Sequence, residues 1–299
     1  MTLYTQVDSN RHKTWFFLSF YVVLIWLAGW IASRFFGSPS ILVVFGVISI
    51  VQGFISYRFS DSIALTVAKA KPLERESAER VYRVMENLTI TAGMPMPRLF
   101  VIDDTALNAF ATGRDKDHAA IAMTSGLIDQ LDDNELAGVL GHELSHIGNE
   151  DIRLMSMVAV MAGLIALISD VMLRSMFYGR RRSNSDNDGG GAIIIIAIIF
   201  AVLAPIAASL IQLAISRKRE YMADANSVLL TRYPEGLISA LKKISGDVEP
   251  LEVANRGTAH MYFANPLHGQ WFASLFSTHP PVEQRIKALE EGSGAVPTA

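Results

Sequence analysis

The hydrophobic positions of this chain are concentrated in four blocks, which are separated by segments of mixed polar and apolar residues. Residues 14–33 form the first block, a run of 20 residues without a charge. As a helix, this block can cross a hydrocarbon core about 30 Å thick. Residues 41–57 form a second, shorter block close behind it. The pattern therefore predicts a hairpin of two transmembrane helices over residues 1–57.

A cleaved signal peptide is the alternative interpretation of the first block. The block is longer than the apolar region of a typical signal peptide, and it contains Trp26 and Trp30. It also has no clean pair of small residues at which a signal peptidase cuts. These features favour a retained membrane helix.

The third and fourth blocks, residues 154–169 and 192–215, predict two further membrane helices in a unit that spans residues 154–215. The third block has only 16 residues and is marginal for a full crossing. A polar, glycine-rich stretch over residues 178–191 predicts a flexible loop between the two blocks. About four transmembrane helices are expected in total.

Lysines and arginines near the helix ends predict the orientation in the membrane. With four spans, eleven of these residues lie on the side that carries the N-terminus and the polar segments, against five on the other side. Because positively charged loops stay in the cytoplasm, the polar segments are expected there. If the third and fourth blocks do not cross fully, the arginine-rich loop between them returns to the cytoplasmic side.

Two segments, residues 58–153 and 216–299, hold nearly all the polar sequence, and their helical periodicity predicts a mainly helical domain. Runs rich in β-forming residues at 98–102, 107–111 and 118–123 predict a small antiparallel sheet. Turn residues between the last two runs predict a β-hairpin.

The start of one helix is indicated by Asp132 and Glu135, which have the spacing of a capping box. This helix is expected to run to about Asn149. The predicted fold class is therefore a mainly α integral membrane protein, with a helical catalytic domain and a small antiparallel β-sheet.

Composition narrows the possible functions. Hydrophobic residues make up 51% of the chain and charged residues 18%, below the usual charged share of about 25%. The net charge of −3 indicates no nucleic-acid partner. Because the chain has no cysteine, thiolate catalysis and cysteine-based metal sites are excluded. A metal site must therefore use histidines and carboxylates.

His142, Glu143 and His146 form an H-E-x-x-H pattern within the capped helix. Imidazoles at positions i and i+4 lie on one helix face, so both can bind one cation at about 2.1 Å. Glu143 can take a proton from water and pass it to a leaving amine. With 7 His and 14 Glu in 299 residues, roughly 0.008 such matches are expected by chance. Two surface histidines beside a solvated glutamate are the alternative interpretation.

A catalytic zinc needs a third protein ligand, which in this chain must be His, Asp or Glu. Glu150 and Asp151 follow the helix so closely that they are not expected to turn back to the site. Glu220 and Asp224 share one face of a later helix and are better placed. Glu220 can bind the metal while Asp224 accepts the ring N–H of a ligating histidine. An exposed helix with ordinary salt bridges is the alternative.

The motifs H-E-L-S-H at 142–146 and E-Y-M-A-D at 220–224, with apolar blocks before and between them, resemble those of a known family. The chain resembles the HtpX-like membrane zinc metallopeptidases of the gluzincin group, which are related to the CAAX prenyl protease, over nearly its whole length. The resemblance implies one Zn²⁺ per chain, with His142, His146 and Glu220 as ligands. It also implies Glu143 as the catalytic base and Asp224 as the partner of a ligating histidine.

The same resemblance implies an inner-membrane endopeptidase of bacteria that cleaves misfolded or damaged membrane proteins in a stress response, at the cytoplasmic face. Four apolar blocks are too few for the intramembrane chamber expected of a prenyl-protein processor. The expected partners are polypeptide substrates, in particular membrane proteins, and the lipid bilayer. The oligomeric state is left open.

Further expectations concern substrate binding. His279, which precedes two prolines, and Arg285 resemble a late motif of the family, where an imidazole or a cation can stabilise the oxyanion. The run at 107–111 resembles the edge strand that receives a substrate by strand addition, although an ordinary sheet strand is the alternative. The expected substrate-contacting residues of this strand are Asn108, Ala109 and Phe110.

Two other functions stay open at this stage. One is a processing protease for a specific lipidated or signal-type substrate. The other is a membrane scaffold in which a structural zinc only joins two helices. Glu143 distinguishes the scaffold from an enzyme, because a structural site needs ligands but no base.

Overall fold

The structure is a computed structural model that describes residues 3–161, 217–247, 249, 251–252, 261–264 and 280–293. The fourth apolar block, the loop at 178–191 and the second half of the third block lie outside these residues. The prediction of two further membrane helices therefore stays a prediction.

The described elements are mainly helices. The helices are α1 (Leu3–Phe36), α2 (Pro39–Val67), α3 (Glu79–Ala92), α4 (Ser125–Gln130), α5 (Asp133–Gly148), α6 (Arg217–Thr231), α7 (Pro234–Gly246) and α8 (Val282–Ser293). The strands are β1 (Lys71–Pro72), β2 (Arg98–Ile102), β3 (Ala109–Thr112) and β4 (Ala120–Thr124). Residues 151–161 are also helical and follow α5 after a short turn.

Helices α1 and α2 form the predicted hairpin, and α2 continues past the predicted end at residue 57 to Val67. Within the described part of the chain, these two helices are long and apolar enough to cross a membrane, over Asp8–Arg34 and Pro39–Val67. Their outer faces expose large apolar side chains, including Phe16 at 64%, Val43 at 65% and Phe54 at 63%. Apolar surface of this extent is suited to contact with lipid.

Small residues on α2 allow the two long helices to pack closely. Gly46 and Gly53 are among the buried residues of α2. A Cβ atom at position 46 would lie 2.7 Å from the indole nitrogen of Trp26 on α1. A side chain at this position would therefore force the helices apart, as at the small-residue contacts common between membrane helices.

The sheet has four strands in the order β1-β2-β4-β3 and is mixed, not antiparallel as predicted. The predicted hairpin is confirmed, because β3 and β4 pair antiparallel. However, β4 pairs in parallel with β2, with Phe100 opposite Ala122. The reason is that β3 lies at the edge of the sheet, so the returning strand β4 enters between β3 and β2.

Helix α5 lies at the centre of the domain and begins as predicted. The Asp132 side chain accepts hydrogen bonds from the backbone N–H groups of Asn134 and Glu135, each at 2.9 Å. In return, the Glu135 carboxylate accepts from the backbone N–H of Asp132 at 2.8 Å. This capping box satisfies the backbone donors of the first turn. All residues of the helix from Leu136 to Ile147 are buried except Ala137.

Two glycines bring the neighbouring helices close to α5. Ser227 on α6 donates a hydrogen bond from its hydroxyl to the backbone oxygen of Gly138 at 2.6 Å. A Cβ atom at position 138 would lie 2.8 Å from the backbone of Leu237 on α7, and one at Gly141 would lie 2.8 Å from the Ser227 hydroxyl. Because α6 approaches this closely, its side chains can reach the histidines of α5.

We predict that Gly138→Ala destabilises the folded domain by about 1–3 kcal/mol, the usual cost of overpacking a close contact. The new methyl group would meet backbone atoms of α7, which cannot rotate away. Gly246→Ala is the matched control, because a Cβ atom there meets nothing within 4 Å. Thermal unfolding of the two purified variants checks this, and equal melting temperatures would contradict the prediction.

Candidate active site

Three side chains that can bind a metal converge between α5 and α6. His142, His146 and Glu220 are all buried, and their ligand atoms lie within 4.8 Å of one another. The Nε2 atoms of the two histidines are 3.1 Å apart. Each Nε2 lies 3.7 Å from one carboxylate oxygen of Glu220. The structure thus brings together the three residues expected as ligands, and it excludes the alternatives of surface histidines and an exposed helix.

This arrangement fits a tetrahedral ion. Ligand atoms at 2.0–2.1 Å from a tetrahedral zinc are separated from one another by about 3.4 Å. The three observed separations of 3.1, 3.7 and 3.7 Å lie around that value. The donor set of two imidazoles and one carboxylate is also that of known catalytic zinc sites.

Asp224 orients the first histidine. Its carboxylate is hydrogen-bonded to Nδ1 of His142 at 2.8 Å, and both side chains are buried. Burial is the largest influence on the His142 ring and lowers its pKa to about 4, although the hydrogen bond to Asp224 acts in the opposite direction. The ring is therefore neutral at pH 7, with its proton on Nδ1 and a lone pair on Nε2 towards Glu220.

Arg285 on α8 holds Asp224 from the other side. The guanidinium donates to both carboxylate oxygens of Asp224, at 2.9 and 2.6 Å, and Arg285 is 1% exposed. Burial acts to raise the pKa of Asp224, but the charge of Arg285 and its hydrogen bonds outweigh burial and lower the pKa to about 2. Asp224 is therefore a carboxylate over the whole physiological range of pH.

The second histidine has an equivalent partner, which the sequence did not indicate. Nδ1 of His146 lies 3.2 Å from a carboxylate oxygen of Asp151. The expectation that Asp151 lies too close to the helix to return to the site is wrong. Glu150 adopts a φ of 55°, in the left-handed region, and this turns the chain back after α5. Because glutamate rarely adopts this conformation, the residue type at position 150 does not predict the turn.

The surroundings of His146 carry an excess of negative charge. Burial acts to lower the pKa of His146, but the hydrogen bond to Asp151 and the charges of Glu220 and Asp151 outweigh it and raise the pKa to about 9. The site therefore attracts a positive charge, and a bound metal ion would supply it.

Glu143 is 2% exposed and lies on α5 directly after the first histidine. Its negative charge contributes to the raised pKa values of both His146 and Arg285. Glu143 is thus close enough to the candidate ligand His146 for its charge to act on the site.

Arg285, which is expected to contact the substrate, is hydrogen-bonded to Asp224 within the site. Its guanidinium packs over the ring of Phe263 at 4.6 Å and donates to Asp224, with its Nη2 atom 3.3 Å from Nδ1 of His142. Within the described residues, Arg285 therefore contacts the residue that orients His142, which is Asp224. His279, the other expected oxyanion group, lies outside the described residues.

The three expected substrate-contacting residues, Asn108 and the first two residues of β3, are in contact with another part of the chain. The side chain of Asn108 donates to the backbone oxygen of Ala264 at 3.0 Å and accepts from its backbone N–H at 3.2 Å. The backbone oxygen of Ala109 accepts from the N–H of Phe263 at 2.8 Å, and the Phe110 ring packs edge-on against Tyr262. The segment 261–264 thus covers part of this edge, and substrate binding there stays a prediction.

A buried group of two histidines and a glutamate, with a glutamate next to the first histidine, defines the class of the metallopeptidases. Comparison with known proteins makes the assignment specific. The model of Peptidase family M48 matches residues 75–293, so the chain belongs to this family and is a metallopeptidase.

Curated relatives match nearly the whole chain. A protease HtpX homolog of Dictyoglomus thermophilum is 43% identical over 290 residues, covering 96% of this chain and 94% of the relative. A protease HtpX homolog of Tropheryma whipplei is 41% identical over 289 residues, covering 97% and 98%. Among solved structures, S. mikatae Ste24p matches with a TM-score of 0.48 and 20% identity, over 95% of this chain and 66% of that one.

We predict that Arg285→Gln lowers the free energy of unfolding by about 3–5 kcal/mol, because it leaves the buried carboxylate of Asp224 without its cation. Lys287→Gln is the control on the same helix, since Lys287 is 75% exposed and has a single 3.8 Å ion pair with Glu291. Denaturant unfolding of both metal-free variants checks this. If the Arg285→Gln variant is as stable as the control, Arg285 does not stabilise the fold through Asp224, and the expected role in substrate binding is the one that remains.

Proposed function

We propose that the protein is a membrane-bound zinc endopeptidase that cleaves misfolded or damaged membrane proteins at the cytoplasmic face of the bacterial inner membrane. In this role His142, His146 and Glu220 bind one Zn²⁺, and Glu143 is the catalytic base. The observation that carries the proposal is the convergence of these three ligand atoms, with the buried Glu143 next to His142 on the same helix.

A zinc ion bound by these residues supplies Lewis-acid polarisation of the scissile carbonyl and makes a water molecule more acidic. Glu143 takes the proton of the attacking water and delivers it to the leaving amine. Asp224 and Asp151 keep the Nδ1 protons of the two histidines in place, so that both Nε2 atoms stay available as ligands. Arg285 keeps Asp224 ionised for this purpose.

The contact between α1 and the turn after α5 supports a site at the membrane surface. Asn10, near the start of the membrane span Asp8–Arg34, is hydrogen-bonded to Asn149 and Asp151. The site therefore lies at the end of the hairpin that carries the N-terminus. Basic residues are frequent at this end, whereas Arg34 is the single lysine or arginine near the turn between α1 and α2. This distribution favours a cytoplasmic site.

The relatives described as protease HtpX homologs support an endopeptidase of this kind over a processing protease for lipidated or signal-type substrates. A membrane scaffold with a structural zinc is the third possibility. Structural zinc sites use four protein ligands, whereas the group found in the described residues has three. A buried Glu143 next to the ligands also has no use in a structural site.

We predict that Glu143→Gln binds zinc like the wild type but loses peptide hydrolysis by a factor of at least about 10²–10⁴. The amide has almost the same shape but cannot take a proton from water. Purified wild type and variant are incubated with casein and with a membrane protein in its native and destabilised forms.

The quality-control proposal expects the wild type to digest the destabilised membrane protein faster than the native one. If the wild type digests neither form of the membrane protein but cleaves one defined lipidated peptide, the result would instead support the processing protease. Full zinc binding with hydrolysis unchanged in Glu143→Gln would show that another residue is the base.

A further prediction separates a ligand from its support. Glu220→Gln should lower zinc occupancy sharply, because an amide oxygen is a poorer zinc ligand than a carboxylate. Asp224→Asn should weaken zinc affinity about 10–100-fold, since it removes the partner of a ligating ring. Glu235→Gln, an exposed change on α7, is the control. Metal analysis after dialysis checks all three, and full zinc in Glu220→Gln would exclude Glu220 as the third ligand.

A further inference from the structure

Asn10 on α1 makes a contact that links the membrane hairpin to the metal site. It is 3% exposed. Its side-chain nitrogen donates two hydrogen bonds, at 2.7 Å to a carboxylate oxygen of Asp151 and at 3.0 Å to the backbone oxygen of Asn149. Both partners are pure acceptors, so an amide nitrogen with two N–H groups is the donor that this position requires. About 140 residues of sequence separate Asn10 from these partners.

The two acceptors are on either side of the left-handed residue Glu150. A non-glycine residue with φ near 55° is energetically unfavourable and needs contacts that hold it. By binding Asn149 and Asp151 together, the amide of Asn10 holds this turn closed. This closed turn places the second carboxylate oxygen of Asp151 3.2 Å from Nδ1 of His146.

Apolar packing fixes the position of Asn10 relative to the site. One face of α1, including Phe17, Tyr21 and Ile25, forms a buried cluster with Leu154 and Met157 of the helical segment that follows the turn. The same segment begins at Asp151. A displacement of α1 along this contact would therefore move the donor of the hydrogen bonds away from Asp151.

We propose that Asn10 is a positioning residue for the metal ligand His146, acting through Asp151, and that α1 is a functional part of the metal centre as well as a membrane anchor. The inference rests on the proposed zinc site. Arg219 also donates to the same oxygen of Asp151, at 3.0 Å. After loss of Asn10, Arg219 still binds this oxygen of Asp151, so the effect is smaller than that of losing Asp151.

The test measures zinc release from the full-length protein in detergent, after the wild type has been shown to bind one zinc. Transfer of zinc to an excess of a coloured chelator gives the release rate. Asn10→Ala should release zinc about five to ten times faster than the wild type, below the 10–100-fold range for direct partners of a ligand. We also expect a lower kcat with an unchanged KM.

Thr14→Ala is the matched control. Thr14 is buried one turn further along α1, and its hydroxyl donates to the backbone oxygen of Asn10 and not to Asp151. A general loosening of α1 would affect both variants, whereas a positioning role affects only Asn10→Ala. Asn10→Ser, which keeps a donor, should fall between Asn10→Ala and the wild type. If Asn10→Ala does not fold, Asn10→Ser is compared with Thr14→Ala and the wild type in its place.

A double-mutant cycle with Asp151→Ala, which removes both side-chain oxygens, tests the route of the effect. If Asn10 acts through Asp151, the combined variant releases zinc no faster than Asp151→Ala alone, because the two changes remove one interaction. Two results would overturn the inference. One is a combined variant in which the increases in zinc release rate of the two single variants multiply, and the other is a release rate in Asn10→Ala equal to that in Thr14→Ala. A wild type that binds no zinc would overturn the proposed function instead.

Discussion

The hydrogen bonds between two carboxylates and the two histidines set the direction in which both imidazole rings face Glu220. Each of the two histidines has one ring nitrogen that faces a buried carboxylate and one that faces Glu220. If either ring rotated, its lone pair would leave the point at which the three ligands meet. The rest of the domain can be understood as the means by which Asp224 and Asp151 are kept in place.

The two carboxylates are held by different parts of the molecule. Asp224 lies outside the two long apolar helices, on the helix α6 that approaches the glycines of α5, and Arg285 neutralises its charge. Asp151 lies where α1 contacts the turn after α5, and Arg219 and Asn10 share one of its oxygens. The site thus links the packing of α5 and α6 to the hairpin of α1 and α2.

Local spacing explains how much of this could be predicted from the sequence. The start of α5, the face shared by His142 and His146, and the pairing of Glu220 with Asp224 all follow from positions three or four residues apart. The features that could not be predicted depend on contacts between residues that have no such regular spacing. The parallel pairing of β2 with β4 is set by the placement of β3, and the return of Asp151 depends on a left-handed turn at Glu150, a residue type that rarely adopts this conformation.

The amide of Asn108 has a consequence for how the protein behaves in a crowded cell. An unpaired edge strand is a template on which another copy of a chain can add, which leads to aggregation. Here a side-chain amide presents one donor and one acceptor to the backbone of Ala264, in the way that a peptide group of a neighbouring strand would. A short irregular segment thereby saturates the start of β3. The sheet is thus protected at this point against edge-to-edge association without the proline, lysine or bulge that other sheet proteins use.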